Sequence, residues 1–545
     1  MAGKKKVSGT IVDVVNGRIY SGTLVIEYGR ISDIVRENRT YNRFIIPGFI
    51  DSHVHIESSM LPPSEFARAA TIHGTIAAVC DPHEIANVCG VEGIDYMCDN
   101  AAITPMKFYF GAPSCVPATD FETSGACLDA DTVDSLLQRS DIWHLGEMMN
   151  YPGVINGDPS VLRKIRSALQ AGKPVDGHAP GLLGIELRKY IDAGITTNHE
   201  CLSPEEALED IKAGITVQIR EGSAARLLDQ CFHLIDLHTD HCMFCSDDKH
   251  PDDLQRGYIN DMVKRSIQAG IDPLKVLKVA SVNPVFHYGL DMGLLRRGDP
   301  ADFLEIDDLQ HLNILRTWIG GTVVASEGVS LIPRCNSGVI NRFDVSTKTP
   351  EDFVIRGNGN ILHVIIALDR QVYTEKTSLS PKRCKDMIVS DPDHDVLKLA
   401  VVNRYADAPV SIGFVKNFGL REGAIASSVA HDSHNIVAVG VRDSDLARAV
   451  NLIIKNGGGI CAVRGEEERI QTLPIAGLMS NEDFKTVSKK YTLLNRMAQT
   501  MGTQLKAPFM TLSFMSLPVI PRLKLTDRGL FDGDLFRYID SMDSV

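Results

Sequence analysis

Histidines and carboxylates that could hold metal ions recur along the first half of the chain. Asp51, His53 and His55 follow one short apolar run, and the next apolar run is followed by Asp81, His83 and Glu84. The later members of this series, each at the end of a further apolar run, are Glu147, His178, His199, Asp247 and Asp248. Imidazole combined with carboxylate, and without thiolate, suits Mn, Fe or Zn in a catalytic site better than a structural zinc.

The spacing within this series indicates which of its members are the metal ligands. His53 and His55 are two residues apart on an extended chain, so both side chains point the same way and can bind one ion. Asp247 and Asp248 would face opposite sides, and we favour Asp247 because it directly follows the run Phe244 to Ser246. Because a lone histidine is usually structural, the prediction depends on these residues lying together at the ends of their strands. The predicted ligands are His53, His55, Glu147, His178, His199 and Asp247.

The elements that carry these residues alternate between strand and helix. Many predicted helices end in Ala-Gly and are followed at once by a β-like run, which is typical of a parallel sheet. Eight candidate strands lie near 45–50, 75–80, 106–110, 142–146, 174–177, 195–198, 215–219 and 242–246. The 239 residues of 48–286 give about 30 per unit, which favours an α/β fold of the (β/α)8 TIM-like barrel type.

A barrel brings the carboxyl ends of its strands to one rim, where the predicted ligands would meet. The alternative, a doubly wound open sheet, would usually carry a glycine-rich phosphate loop, and the sequence shows no such loop. We predict three domains. Residues 1–47 plus 287–333 form a small composite β-sandwich, residues 48–286 the barrel, and residues 334–545 a C-terminal α+β domain whose topology we do not assign.

Composition excludes several other classes of protein. The chain has 545 residues, of which 44% are hydrophobic and 23% charged, as in folded globular proteins. Its net charge of −13 does not supply the cationic surface that non-specific nucleic-acid binding needs. The uncharged stretch 507–521 is too short, and too rich in proline, to span a bilayer. With no export signal and 12 cysteines without disulfide-like spacing, we expect a cytoplasmic protein.

Two competing metal motifs fail. His55-Ile56-Glu57 with Cys242-Met243-Phe244-Cys245 superficially matches the zinc site of cytidine deaminases, but His241 stands where that signature requires proline. In His83-Glu84-Ile85-Ala86-Asn87, Asn87 replaces the second histidine of the metalloprotease motif. Walker A and Gly-x-Gly-x-x-Gly sequences are also missing, which argues against nucleotide hydrolysis and dinucleotide redox chemistry.

The motifs resemble those of the amidohydrolase superfamily. Pro47-Gly48-Phe49-Ile50-Asp51-x-His53-x-His55 opens the barrel, and Gly298-Asp299-Pro300-Ala301-Asp302-Phe303 leaves it. Within that superfamily the chain resembles the adenine deaminases nearly end to end. The matching segments include residues 53–60, 80–87, 145–150, 176–180 and 247–253, and, beyond the barrel, 430–435 and 508–514.

This resemblance implies a reaction and a set of roles. His53 and His55 would hold one divalent metal ion and His178 and His199 a second, with Glu147 bridging the two. Asp247 would bind metal and take the proton of the attacking water. The resemblance further implies Mn²⁺ as the metal, with Fe²⁺ or Zn²⁺ as alternatives, and hydrolysis of adenine to hypoxanthine and ammonia in purine salvage by a homodimer.

Further residues are candidates for proton transfer and substrate binding. We expect Glu84 or Asp81 to handle one proton step, because attack on adenine needs protonation of a ring nitrogen and ammonia must leave protonated. The expected substrate contacts are Arg220, Ser114, His83 and His431. We also predict that the region around His431, Asp432 and His434 reaches into the barrel mouth. Alternative functions are hydrolysis of cyclic amides by the same fold, or a non-catalytic scaffold, which would have lost ligands.

Overall fold

A computed structural model describes residues 4–543 of the chain, so residues 1–3 and 544–545 of the predicted terminal domains lie outside the described part. The chain begins with β1 (Lys5–Asp13), β2 (Arg18–Glu27), β3 (Arg30–Arg36) and β4 (Phe44–Pro47). β1 and β2 form an antiparallel hairpin in which Asp13 pairs with Arg18. Gly17 turns it with φ +63°, a conformation that costs glycine little.

Eight strands then form the barrel, in agreement with the predicted fold. They are β5 (Phe49–Val54), β6 (Thr75–Cys80), β7 (Lys107–Ala112), β8 (Ile142–Met148), β9 (Val175–Gly177), β10 (Thr197–Asn198), β11 (Thr216–Arg220) and β12 (Cys242–Cys245). β5 to β9 pair in order and in parallel, as do β10 to β12. A parallel bridge between Val54 and Asp247 joins the last strand to the first.

Helices cover the outside of the barrel and connect its strands. They are α1 (Pro63–Thr71), α2 (His83–Cys89), α3 (Val91–Ala102), α4 (Ala130–Leu137), α5 (Tyr151–Asn156), α6 (Pro159–Gln170), α7 (Gly184–Asp192), α8 (Pro204–Ala213), α9 (Phe232–Leu237), α10 (Pro251–Arg256), α11 (Ile259–Gln268), α12 (Pro273–Leu277) and α13 (Asn283–Tyr288). Gly214 ends α8 in the left-handed conformation that glycine commonly adopts just past a helix end. α2 begins at His83, directly after β6, so Glu84 lies in its first turn.

The chain then returns to the sheet with which it began. β13 (Phe303–Ile306), β14 (Ile314–Ile319), β15 (Thr322–Ser326) and β16 (Val329–Ser330) complete one eight-stranded sheet. β13 pairs with β4, which leads directly into β5. This sheet has its own apolar core, in which the rings of Phe303 and Trp318 stack 5.2 Å apart. The entry and exit of the barrel are therefore fixed to each other.

The C-terminal region contains a nine-stranded sheet, two three-stranded sheets and three helices. Its strands are β17 (Ile355–Arg356), β18 (Ile361–Ile366), β19 (Glu375–Leu379), β20 (Arg383–Cys384), β21 (Met387–Ile388), β22 (Val396–Val402), β23 (Ser411–Lys416), β24 (Ala424–Ser427), β25 (Ile436–Gly440), β26 (Gly459–Arg464), β27 (Glu467–Thr472), β28 (Leu523–Thr526), β29 (Gly529–Asp532), β30 (Arg537–Tyr538) and β31 (Met542–Asp543). The helices are α14 (Asp443–Lys455), α15 (Phe484–Thr500) and α16 (Pro508–Ser513).

One hydrophobic core runs from the barrel into the C-terminal region. The same cluster of buried side chains contains Phe66 of α1 and Tyr491 of α15. Backbone bonds cross this boundary as well, since Ser480 N–H donates to the Met60 carbonyl at 2.8 Å. The C-terminal region therefore packs directly on the barrel. Within residues 4–543, no helix is both long enough and apolar enough to cross a membrane.

Replacing Gly48, between β4 and β5, by alanine should lower the free energy of unfolding by about 1–3 kcal/mol through overpacking. The added Cβ atom would lie 2.0 Å from Cδ1 and 2.4 Å from Cγ1 of Ile76, which is fully buried in β6. Gly338→Ala is the matched control, because no described atom lies within 4 Å of its Cβ position. Calorimetry should show a lower melting temperature for Gly48→Ala only. Equal melting curves for the two variants would contradict this packing.

Candidate active site

The end of β5 places two imidazoles against one carboxylate. His53 Nε2 and His55 Nε2 lie 3.2 Å apart. Asp247 Oδ1 lies 3.5 Å from the first of these nitrogens and 3.1 Å from the second. All three side chains are buried. The predicted ligands from the first and eighth strands of the barrel therefore converge on one point.

A second group of ligand atoms lies beside the first. Glu147 Oε2, at the end of β8, lies 2.7 Å from His178 Nδ1 and 3.0 Å from His199 Nε2. Glu147 Oε1 lies 3.4 Å from His55 Nε2. The carboxylate of Glu147 therefore stands between the two groups, one oxygen toward each.

The backbone of Asp247 decides which of the two adjacent aspartates faces the histidines. Asp247 has φ +55°, a left-handed conformation that is uncommon outside glycine. Its carboxylate points toward His53 and His55, whereas Asp248 Oδ1 accepts a hydrogen bond from Ser58 Oγ at 2.5 Å. The structure places Asp247, and not Asp248, among the predicted ligand atoms.

The donor set fits a pair of divalent cations. His55 Nδ1 donates to the Asp81 carbonyl at 3.0 Å, so Nε2 is the ring nitrogen that faces the carboxylates. Burial opposes protonation of this ring, but Asp247 and Glu147 outweigh it and raise the pKa of His55 well above its ordinary value. Burial and the neighbouring His199 lower the pKa of His53 to about 3, so its ring is neutral. Buried nitrogens and carboxylate oxygens then face one another at short range, an arrangement that cations would stabilise.

Neighbouring charges keep both carboxylates of this cluster ionised. Burial raises the pKa of Glu147, but His178 and His199 outweigh it and hold the pKa well below its ordinary value. Burial also opposes ionisation of Asp247, and Arg220 with His53 and His55 holds the pKa of that carboxyl well below its usual range. Both groups therefore keep the anionic form that binds metal.

Two expected residues lie behind the cluster and do not line the cavity above it. Asp81 Oδ2 accepts the backbone N–H of Glu147 at 2.8 Å. Ser114 Oγ donates to the Glu147 carbonyl at 2.5 Å. The cavity lining includes neither of them. Ser114, which we expected to contact substrate, and Asp81, which was one of two candidates for a proton step, therefore lie where they orient the backbone of Glu147.

The other residues expected to transfer protons or contact substrate do line this cavity. Arg220 Nη1 donates to Asp247 Oδ2 at 2.8 Å and pairs with Glu200. His83 Nδ1 lies 3.4 Å from Glu147 Oε1. Glu200, which directly follows His199, was not predicted from the sequence, because a buried partner for Arg220 cannot be inferred from spacing alone.

Glu84 connects the barrel to the C-terminal region. Its Oε1 pairs with His431 Nδ1, and its Oε2 lies 2.5 Å from His434 Nε2. All three side chains are at least 98% buried. The structure thus brings the segment around His431 into the barrel mouth, as expected. The remaining cavity residues from the C-terminal region, which the sequence analysis did not single out as site residues, are Val372, Phe514, Leu517 and Ile520.

An outer cavity of about 590 Å³ adjoins the site. Glu200, Arg220, Val372 and Ile520 line both spaces. The outer cavity therefore lies directly beside the cavity above the cluster.

The barrel and its cluster of histidines and carboxylates define the class of metal-dependent amidohydrolases. Residues 44–324 match the amidohydrolase family, and residues 371–537 match the adenine deaminase C-terminal domain. An adenine deaminase of Salinibacter ruber is 52% identical, with 98% of each chain covered. Those of Sulfurovum sp. and Methanosarcina acetivorans are 51% and 48% identical, over 98% of this chain and 99% of theirs.

The chain belongs to the adenine deaminase family. This confirms the membership that the sequence motifs predicted.

Gly146→Ala should weaken metal binding although Gly146 is not a ligand. An added Cβ would lie 2.3 Å from Asp81 Oδ2, so the carboxylate that holds the Glu147 backbone must move. We expect Mn²⁺ affinity to fall about 10–100-fold, as when other groups that orient metal ligands are lost. Titration of metal-free protein with Mn²⁺ measures the change.

The matched control is the same substitution in an Asp81→Ala background. If Gly146→Ala acts by displacing Asp81, it should add little there. An equal loss of affinity in both backgrounds would contradict the proposed contact.

Proposed function

We propose that this protein hydrolyses adenine to hypoxanthine and ammonia. The observation that carries the proposal is the near full-length similarity to proteins named adenine deaminase, at 48–52% identity. The six predicted ligand residues also come together at the barrel mouth. A place in purine salvage, a homodimeric assembly and a cytoplasmic location remain predictions of the sequence.

Two divalent cations, with Mn²⁺ as the proposed metal, would be held by the cluster. His53 and His55 would bind one ion and His178 and His199 the other, with Glu147 between them and Asp247 beside the first pair. Bound metal supplies Lewis-acid chemistry that makes water acidic enough to give hydroxide near neutral pH. Fe²⁺ and Zn²⁺ accept the same ligand types.

The protein's own residues would manage the protons. Asp247 is held as a carboxylate next to the imidazoles, which suits it to accept a proton from the attacking water. Glu84 lines the cavity and lies within hydrogen-bonding distance of two histidines, which suits it to one of the two proton steps, at the purine ring or at the leaving ammonia. Arg220 and His83 line the same cavity and are the proposed substrate contacts.

Hydrolysis of a cyclic amide is the alternative within the same fold. Such a substrate offers a polarised carbonyl and does not need a ring nitrogen to be protonated. The pair of Glu84 with His431 favours the deaminase, because it supplies a shared proton to the cavity. A non-catalytic scaffold would be expected to have lost ligands, and all six predicted positions retain ligand-forming side chains.

Metal-free protein reconstituted with two equivalents of Mn²⁺ should convert adenine to hypoxanthine with release of one ammonia per adenine. Asp247→Asn should lower kcat about 10²–10⁴-fold, the range typical of a lost general base. The absorbance change of adenine and an ammonia assay measure both. Hydrolysis of a cyclic ureide without ammonia release from adenine would overturn the proposal.

The variants Glu84→Gln and Asp81→Asn test which of these two carboxylates takes part in proton transfer. Glu84→Gln should lower kcat about 10²–10⁴-fold, because it removes a charge at the cavity. Asp81→Asn should cost about tenfold, since Asp81 acts through the backbone of Glu147. Metal content should stay at the wild-type level in Glu84→Gln. Near-normal kcat in both variants, or a greater loss in Asp81→Asn with metal retained, would contradict these roles.

A further inference from the structure

His431 brings an imidazole from the C-terminal region into the cavity above the predicted metal ligands. The residue is 2% exposed and lines the cavity together with Glu84 and Asp248. The ring of Phe514 stacks on it with centroids 4.5 Å apart and an angle of 12°. The backbone N–H of His431 donates to the Ser513 carbonyl at 3.0 Å. These contacts fix the position of the ring.

The two nitrogens of this ring have different surroundings. Nδ1 pairs with Glu84 Oε1. Nε2 is buried and has no hydrogen-bond partner among residues 4–543, and the nearest carboxylate oxygen, Asp248 Oδ1, is 3.9 Å away. A buried polar atom without a partner is costly, so a ligand that pairs with Nε2 would be favoured.

His434 contacts the same carboxylate but has no free nitrogen. The Ala430 N–H donates to His434 Nδ1 at 3.1 Å, so Nδ1 is the acceptor and the proton lies on Nε2. That proton is donated to Glu84 Oε2. Both nitrogens of His434 are therefore occupied, whereas His431 keeps one for the cavity.

The charges around His431 and His434 also differ, and they shift the pKa values of the two rings in opposite directions. Burial opposes protonation of His431, but Glu84, Asp248 and Asp432 outweigh it and raise its pKa to about 9. Burial lowers the pKa of His434 to about 4 despite Glu84. The titratable groups that face His431 are Glu84 and His83 from α2, Asp248 and His250 from the loop after β12, and Asp432 and His434 from its own loop.

We infer that His431 is a catalytic acid, which donates the proton on Nε2 to the ring nitrogen of adenine next to C6. The inference rests on the proposed function and deepens it. As water adds to C6, the Nε2–H bond breaks, the N1–H bond forms and the electron pair of the C6–N1 double bond moves to N1. The C6–N6 bond then breaks with its electron pair on N6, which takes up the water proton that Asp247 accepted and leaves as ammonia. The hydroxyl on C6 becomes the carbonyl, and its proton returns to His431. Hypoxanthine keeps the N1 proton.

Two variants test this role against a purely structural one. In His431→Asn the side-chain amide still donates to Glu84 but cannot supply an acid to the cavity. In His434→Gln the amide likewise preserves the contact with the other oxygen of Glu84. We expect His431→Asn to lower kcat for adenine at least 100-fold and His434→Gln less than tenfold. Metal content and melting temperature should match the wild type in both.

The decisive readout is the ratio of wild-type to variant kcat as a function of pH, in which titration of adenine and of the metal centre cancels. For His431→Asn the ratio should be high at pH 7 and fall above about pH 9, where the wild-type histidine loses its own proton. For His434→Gln it should stay flat.

Two outcomes would overturn the inference. Wild-type protein that releases no ammonia from adenine would overturn the proposed function and the inference together. An active wild type with His431→Asn within fivefold of it, or with a ratio for His431→Asn that does not change with pH, would overturn the inference alone.

Discussion

The candidate site depends on a short backbone seam that closes the barrel. Asp247 N–H donates to the His53 carbonyl at 3.0 Å, and His55 N–H donates to the Asp247 carbonyl at 3.2 Å. The seam joins the first and last strands of the barrel, and it holds Asp247 in the left-handed conformation that turns its carboxylate toward both imidazoles. The entropy cost of closing a loop grows only slowly with its length. The long chain between β5 and β12 therefore adds little to the cost of joining them, and pairing of the eight strands can offset it.

Burial of charge connects the site in the barrel to the C-terminal region. Glu147 and Asp247 are compensated from within the barrel, by His178 and His199 and by Arg220. Glu84 is also buried and ionised. Its two hydrogen-bond partners, His431 and His434, belong to the C-terminal region, and His83 of the barrel lies 3.5 Å from it. An uncompensated carboxylate at this depth would be strongly unfavourable. The hydrophobic core that is continuous between the two regions keeps these histidines next to Glu84.

The sequence predicted the parts of the molecule that follow from periodicity. The predicted strand 75–80 coincides with β6, and the other barrel strands lie within a few residues of their predicted positions. Parallel strands end at one rim, so residues that follow them could be expected to meet there. Side-chain direction could not be predicted in the same way. Ser114 follows β7 but turns behind Glu147, and the short strands of the C-terminal region carry too weak a pattern to reveal their pairing.

The distant segment 508–514 is connected to the site by a chain of contacts. The side-chain nitrogen of Lys524, which is fully buried, donates to the backbone carbonyls of Val372 at 2.9 Å and Phe514 at 2.8 Å. Both of these residues line the cavity, so one buried lysine joins two segments of its wall. Phe514 in turn stacks on His431, which pairs with Glu84. A motif far outside the barrel is thereby tied to the position of the proposed acid, which gives a physical reason for a family resemblance that extends beyond the metal ligands.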